Sequence, residues 1–340
     1  MKINASKTIP AQKFVGHVPA LRYDGVEPFA EWQERAYAKL WDLLGLDNMT
    51  AVEDDAFAWG EVRETEHGIA KEFFFQSEPD YIVPGWVLMP YDMVGKRTAC
   101  ICVQGHSNGM KNSVLLDMTD EQKAEAQAID RDYAVRAVKE GYVAVCIEQR
   151  YMGRCSSNEN GEPSCITTGE ALPPLLMGRT AVGERVWDVM HLVDVIEKHM
   201  ADFADTEKLT IMGNSGGGTA TFYSACIEKR IRYAMPSGSV CGFKESIVDI
   251  WHCGCNYIPR IALSFDMGDL GGLIAPRALV VVNGIGDPIF PDAGVRRVYA
   301  EIERLYAAAG APDRCRLVTG PGEHRFFADL AWPVMKELQK

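Results

Sequence analysis

A chain of 340 residues with 47% hydrophobic residues and a formal net charge of -12 is long enough to bury a substantial core. Its acidic balance repels phosphates and argues against nucleic acid or an anionic membrane as a partner. No window reaches transmembrane length and no signal-like apolar run opens the chain, so a cytoplasmic location with largely reduced cysteines is expected.

Residues 28–44, PFAEWQERAYAKLWDLL, set Phe29, Trp32, Ala36, Leu40 and Leu43 on one helical face. This predicts a helix packed on the main body and makes residues 1–60 an N-terminal extension of a domain spanning 61–340. The runs IAKEFFFQ (69–76) and YIVPGWVLMP (81–90), separated by SEPD, predict an antiparallel strand pair. From about residue 97 the pattern alternates: strand TACICVQG, a helix near 121–140, strand YVAVCIEQ (142–149), and a polar loop rich in Gly, Ser and Pro. Val182, Val186, Val189, Val193 and Ile196 then recur at helical spacing within 180–200. Strand KLTIMG, a helix from about 216, strand RYAMPSG and an irregular stretch over 239–275 follow. The chain closes with strand RALVVVNG, a helix carrying Val295, Val298, Ile302 and Leu305, strand CRLVTG and a final helix. Short apolar runs alternating with helices predict an α/β fold with a mostly parallel central sheet covered on both faces.

Gly213-Asn214-Ser215-Gly216-Gly217 matches G-x-S-x-G between a buried strand and a helix, the context of a nucleophile elbow. A phosphate loop is the competing reading, but the stretch lacks both the P-loop lysine and G-x-G-x-x-G. A serine hydroxyl needs a base, and the base needs a third group to fix its tautomer. In this fold type the order is Ser, then acid, then His. Only His252 and His324 follow Ser215. His324 lies in a loop just past the last strand, whereas His252 precedes the candidate acid. That acid is Asp287, a few residues beyond a strand end. Asp292, after Pro291 at a helix start, reads as a capping residue. The oxyanion requires donors, for which the backbone amides of Gly216 and His106, the latter in VQGHSNG, are the candidates.

With these residues in place the chain resembles the acetyl xylan esterase-like branch of the α/β-hydrolase superfamily, related to the dienelactone hydrolase-like proteins. The likeness covers roughly residues 25–335 and is carried by LLMGRTAVGERVWDVMHLVDVI, GNSGGGTAT, HCGCNYIP, GLIAPRALVVVNGIGDPIFP and AGAPDR…GEHRF. It implies the α/β-hydrolase fold with an N-terminal helical extension, the triad Ser215, Asp287 and His324, and hydrolysis of carboxylic esters. Acetyl groups on carbohydrate or other small compounds are the implied targets. The partner expected is thus a small-molecule ester, such as an acetylated oligosaccharide; exposed irregular segments leave room for a homo-oligomer. The route requires no cofactor and no metal. One departure is Gln104-Gly105 where the superfamily often has His-Gly. An amidase or peptidase using the same triad, and a non-catalytic binding protein on the same fold, are the alternatives.

Other residues invite readings of their own. His252-Cys253-Gly254-Cys255 suggests soft metal ligands, but Cys-x-Cys is not the usual spacing and no second pair follows. The resemblance makes it a structural feature near the active-site mouth. Arg150 and Arg154 follow a strand end, where Arg150 is expected to brace the Ser215 turn through a buried ion pair in preference to holding substrate. Trp251, Phe243, Tyr257 and Phe290 are candidates for a pocket lining, and Arg179 and Asp188 for salt bridges or caps around the 180–200 helix.

Overall fold

The computed structural model describes residues 8–52 and 56–340. Its centre is one nine-stranded sheet in the order β1-β2-β3-β5-β4-β6-β7-β8-β9. The strands are β1 Phe57–Thr65, β2 Gly68–Glu78, β3 Tyr81–Met89, β4 Arg97–Val103, β5 Val143–Ile147, β6 Ala204–Asn214, β7 Tyr233–Ser237, β8 Ala278–Gly284 and β9 Cys315–Gly320. Strands β1, β2 and β3 run antiparallel, β3 joins β5 antiparallel, and every pair from β5 to β9 is parallel.

The parallel strands are apolar on both faces because both are covered. Along β4, Ala99, Ile101 and Val103 pack into one core, with helices Phe29–Leu44, Ala181–His199, Gly216–Ile227 and Asp292–Ala308. The intervening Cys100 and Cys102 pack into the other, with helices Tyr133–Lys139 and Ala328–Leu338. This two-residue alternation is what strand geometry imposes.

The helix Phe29–Leu44 buries Trp32, Ala36, Leu40 and Leu43, as its periodicity predicts. It is tied down further by Trp32 Nε1 donating to the Leu21 carbonyl at 2.8 Å, and by Gln33 donating to Gly272 and Ala275 at 2.7 and 2.8 Å. Two details differ from the sequence reading. The helix expected near 121–140 is two, Asp120–Ala128 and Tyr133–Lys139. Thr119 and Gln122 form a capping box that starts the first, and Asp130, at φ 54°, turns the chain between them. Strand β1 was not anticipated: it is a half-exposed edge strand, and residue 60, where the extension was expected to end, lies inside it.

The C-terminal ends of β4, β6, β8 and β9 share one edge of the sheet. Open α/β sheets place ligands there, in the crevice beyond the strand ends.

Candidate active site

Ser215 stands between the end of β6 and the first residue of helix Gly216–Ile227. Its backbone lies at φ 58°, ψ −125°, a conformation that costs energy for a residue with a Cβ. The turn persists because its surroundings fix it. The Ser215 amide donates to the Ser237 carbonyl at 2.9 Å on β7, and Ser237 Oγ donates to Asn214 Oδ1 at 2.8 Å. Close approach explains two of the glycines. A Cβ on Gly213 would stand 2.6 Å from the Gly217 and Val103 carbonyl oxygens, and one on Gly217 only 2.2 Å from that of Val103.

Asp287 follows β8. Its side chain is fully buried, and Oδ1 accepts from the Ile289 and Phe290 amides at 2.9 and 3.0 Å. Oδ2 lies 2.7 Å from Nδ1 of His324, which follows β9. A carboxylate can only accept from that nitrogen, so the imidazole proton sits on Nδ1 and Nε2 is left as an acceptor. Phe290 stacks on the ring with centroids 5.7 Å apart. Among the described residues, Nε2 is buried without a partner. It is not hydrogen-bonded to Ser215 Oγ, but both residues line one cavity of about 310 Å³. Such contacts commonly tighten only once substrate is bound.

The same cavity takes in Gly105, His106 and Gly216. A Cβ on Gly105 would be 3.1 Å from that of Ser215, and the His106 ring lies against Gly216. The two residues whose amides are expected to hold an oxyanion, Gly216 and His106, therefore share the cavity of the serine. One of them opens a helix, whose N-terminus favours negative charge. The loop carrying His106 is braced by Glu148, a buried carboxylate that accepts from Gln104 Nε2 at 2.9 Å, from the Met110 amide at 2.7 Å and from the Arg154 amide at 3.2 Å. Burial pushes its pKa up to about 7. Sequence reasoning missed this residue, although an acid placed directly after a buried strand was a visible signal.

The other expected residues divide. Asp292 begins helix Asp292–Ala308 and pairs with Arg296 at 2.7 Å, away from His324. His252 lies in the cavity wall, with Nε2 2.9 Å from Ser246 Oγ. Trp251 and Phe290 line the cavity, whereas Phe243 and Tyr257 do not. Arg150 is in a buried ion-pair network, as expected, but braces a different place. It grips Asp188 through Nε and Nη2 at 2.9 and 2.8 Å and Glu78 at 2.8 Å, joining β2 to helix Ala181–His199. Arg179 pairs with Glu78 and Glu184 in the same network. Cys253 and Cys255 stand beside Cys165 and His106, not beside His252. Cys165 carried no local signal, because the partners that give it meaning are remote in the chain.

No family model matches the chain. Among solved structures it is similar to a "putative acetyl xylan esterase" from Bacteroides fragilis NCTC 9343, with a TM-score of 0.76 and 16% identity, covering 94% of this chain and 83% of that one. It is also similar to a glucuronoyl esterase from Solibacter usitatus, at 0.66 and 14%, covering 95% and 96%. The fold is that of the α/β-hydrolases. In sequence, the chain is 26% identical over 172 residues to "Putative hydrolase YtaP" of Bacillus subtilis (strain 168). That match takes in 49% of the chain and spans little more than half, 56%, of the length of that curated relative. Among the described residues, no helix is long and apolar enough to cross a membrane.

Proposed function

We propose that the protein is a serine carboxylic-ester hydrolase that removes acetyl groups from carbohydrate or other small acetylated compounds. The observation that carries this reading is the 2.7 Å Asp287–His324 couple, whose imidazole, with Nε2 unpartnered among the described residues, belongs to the lining of the cavity that Ser215 also lines. The structural neighbours named as esterases support the same chemistry on the same fold.

In this mechanism His324 Nε2 takes the Ser215 proton as Oγ attacks the ester carbonyl. The Gly216 and His106 amides hold the oxyanion, and Asp287 stabilises the imidazolium that forms. His324 returns the proton to the leaving alcohol. Water then repeats the sequence on the acyl-enzyme and releases the acid. Wild type should hydrolyse para-nitrophenyl acetate faster than longer-chain esters, and Ser215→Ala should lower kcat by about 10⁴- to 10⁶-fold. A variant as active as wild type would reduce Ser215 to a turn residue. A wild type inert both to esters and to a fluorophosphonate probe would favour a binding protein. Faster turnover of a matched acetyl amide would favour an amidase.

A further inference from the structure

Four side chains from three parts of the chain converge beside the cavity, and two of them, His106 and Cys253, line it. His106 comes from the loop after β4, Cys165 from the short helix Ser164–Thr167, and Cys253 and Cys255 from the irregular stretch after β7. The His106 nitrogen and the three sulfurs all lie within 4.8 Å of one another. His106 Nε2 is 3.2 Å from Cys255 Sγ and 3.3 Å from Cys253 Sγ. Zinc–sulfur bonds of about 2.3 Å and zinc–nitrogen bonds of about 2.0–2.1 Å place tetrahedral ligand atoms roughly 3.5–3.8 Å apart. The cluster is thus the size of one coordination shell, built from the donor types zinc selects.

We propose that His106, Cys165, Cys253 and Cys255 bind one Zn²⁺ as a closed Cys3His site. Charge supplies an argument independent of distance. Arg185 is buried, its Nε has no partner, and no carboxylate lies within ion-pair distance of it among the described residues. Its Nη2 donates to the Arg150 carbonyl at 3.1 Å and approaches Cys165 Sγ at 3.8 Å, and its guanidinium lies 5.9 Å from the centre of the Tyr151 ring. A buried cation without a counter-charge is strongly destabilising. Three thiolates and a neutral imidazole around a dication carry one net negative charge, which is the counter-charge Arg185 lacks.

The surroundings also suit a metal. Asn256 Nδ2 lies 3.7 Å from both Cys253 and Cys255 sulfurs, where it can donate to thiolates. Met152, Ala171 and Ala181 supply an apolar shell. Such outer groups orient ligands and tune a site. With four protein ligands the metal keeps no open position, so its work is to clamp: it fastens the loop that carries a proposed oxyanion amide to two segments that no strand holds. Coordination through Nε2 also places the remaining His106 proton on Nδ1, the nitrogen 2.9 Å from where a Cβ on Gly216 would stand. Binding releases the protons of the three thiols; nothing is oxidised or reduced.

The test is the metal content of untagged protein purified without chelator, read by elemental mass spectrometry. About one zinc per chain is expected of a closed site, falling to near none in Cys165→Ser and in the Cys253→Ser/Cys255→Ser double variant. Because those variants could unfold, wild type is also stripped under reducing conditions and titrated with Co²⁺. The visible and thiolate charge-transfer bands of tetrahedral cobalt should appear, saturate at one equivalent and disappear on adding Zn²⁺. Neither readout depends on esterase turnover, so the metal site and the proposed activity stand or fall separately. A wild type that carries no metal and gives no tetrahedral cobalt spectrum would overturn the site. So would a Cys165 disulfide to Cys253 or Cys255 in the protein as purified.

Discussion

The two walls of the cavity are built on different principles. On one side Ser215, Asp287 and His324 each sit within a few residues of the end of a parallel strand, and hydrogen-bonded ladders on β6, β8 and β9 set their backbones. On the other side Ile166, Trp251, Cys253 and Asn256 come from segments 164–180 and 239–275, whose regular structure is confined to helical pieces of three to five residues such as Ser164–Thr167, Gly254–Asn256 and Met267–Gly271. A ladder fixes many residues cooperatively. A wall of such pieces has to be pinned by side chains: the His106, Cys165, Cys253 and Cys255 cluster lies there, and Arg179, at the end of segment 164–180, ties it to Glu78 of the Arg150 network. In the proposed mechanism the chemistry belongs to the strand-end wall, and the loop wall supplies attachment points.

The sharpest break in that division is a change confined to the strand-end wall. Asp287→Asn keeps an oxygen for the Ile289 and Phe290 amides but presents an amide to His324 Nδ1. The imidazole then holds the wrong tautomer for accepting the Ser215 proton. A loss of about 10⁴ in kcat is expected near neutral pH, with the melting temperature little changed. A loss below about tenfold would show that Asp287 does not perform the orienting role the triad requires.

Legibility in the sequence follows the same division. The strand-end wall could be read because a buried strand, a G-x-S-x-G turn and the order Ser, Asp, His are local patterns repeated along one chain. The helix Phe29–Leu44 was legible through its apolar period; the helix start at Asp292 was legible through Pro291, but the capping role was not, since Pro291 holds the N-cap position and Asp292 pairs with Arg296. The loop wall could not be read in this way. Cys165 acquires a meaning only beside His106, Cys253 and Cys255, and no spacing rule links them. Arg150 was recognised as a buried bracing residue, but its partner Glu78 lies at the end of β2 and could not be named without the sheet order. Strand β1 escaped because a half-exposed edge strand has too weak an alternation to announce itself.

The attachment points should show their effect in stability before activity. Arg150→Ala leaves Asp188, 1% exposed, without its bidentate partner, while Glu78 keeps Arg179. Removing one member of a buried ion pair typically costs about 3–5 kcal/mol. Urea unfolding should report a loss of that size. Arg150 does not line the cavity, so kcat of the fraction still folded should remain within about threefold of wild type. A large fall in kcat with unchanged stability would instead place Arg150 among the groups that act on substrate.

The smallest expected effect concerns Glu148, which braces the His106 loop from the strand-end wall. Burial lifts its pKa from 4.5 to about 7, against the smaller opposing pull of the Arg154 and Met110 amides. The folded chain therefore holds this proton more tightly than the unfolded one. The resulting stability is present in full below about pH 4.5 and is lost as pH rises towards 7. At about 1.36 kcal/mol per unit, the change across that window is up to about 3 kcal/mol. Glu148→Gln cannot titrate. Its oxygen can still accept from Gln104 and Met110, but its amide faces the Arg154 amide, donor against donor. Unfolding measured from pH 4.5 to 7 should thus show a variant slightly less stable than wild type at the acid end, with a flatter profile. If the slope of the variant matches that of wild type, the pH dependence belongs to another group, and the loop that brings His106 to the serine is braced by Glu148 in its charged form throughout.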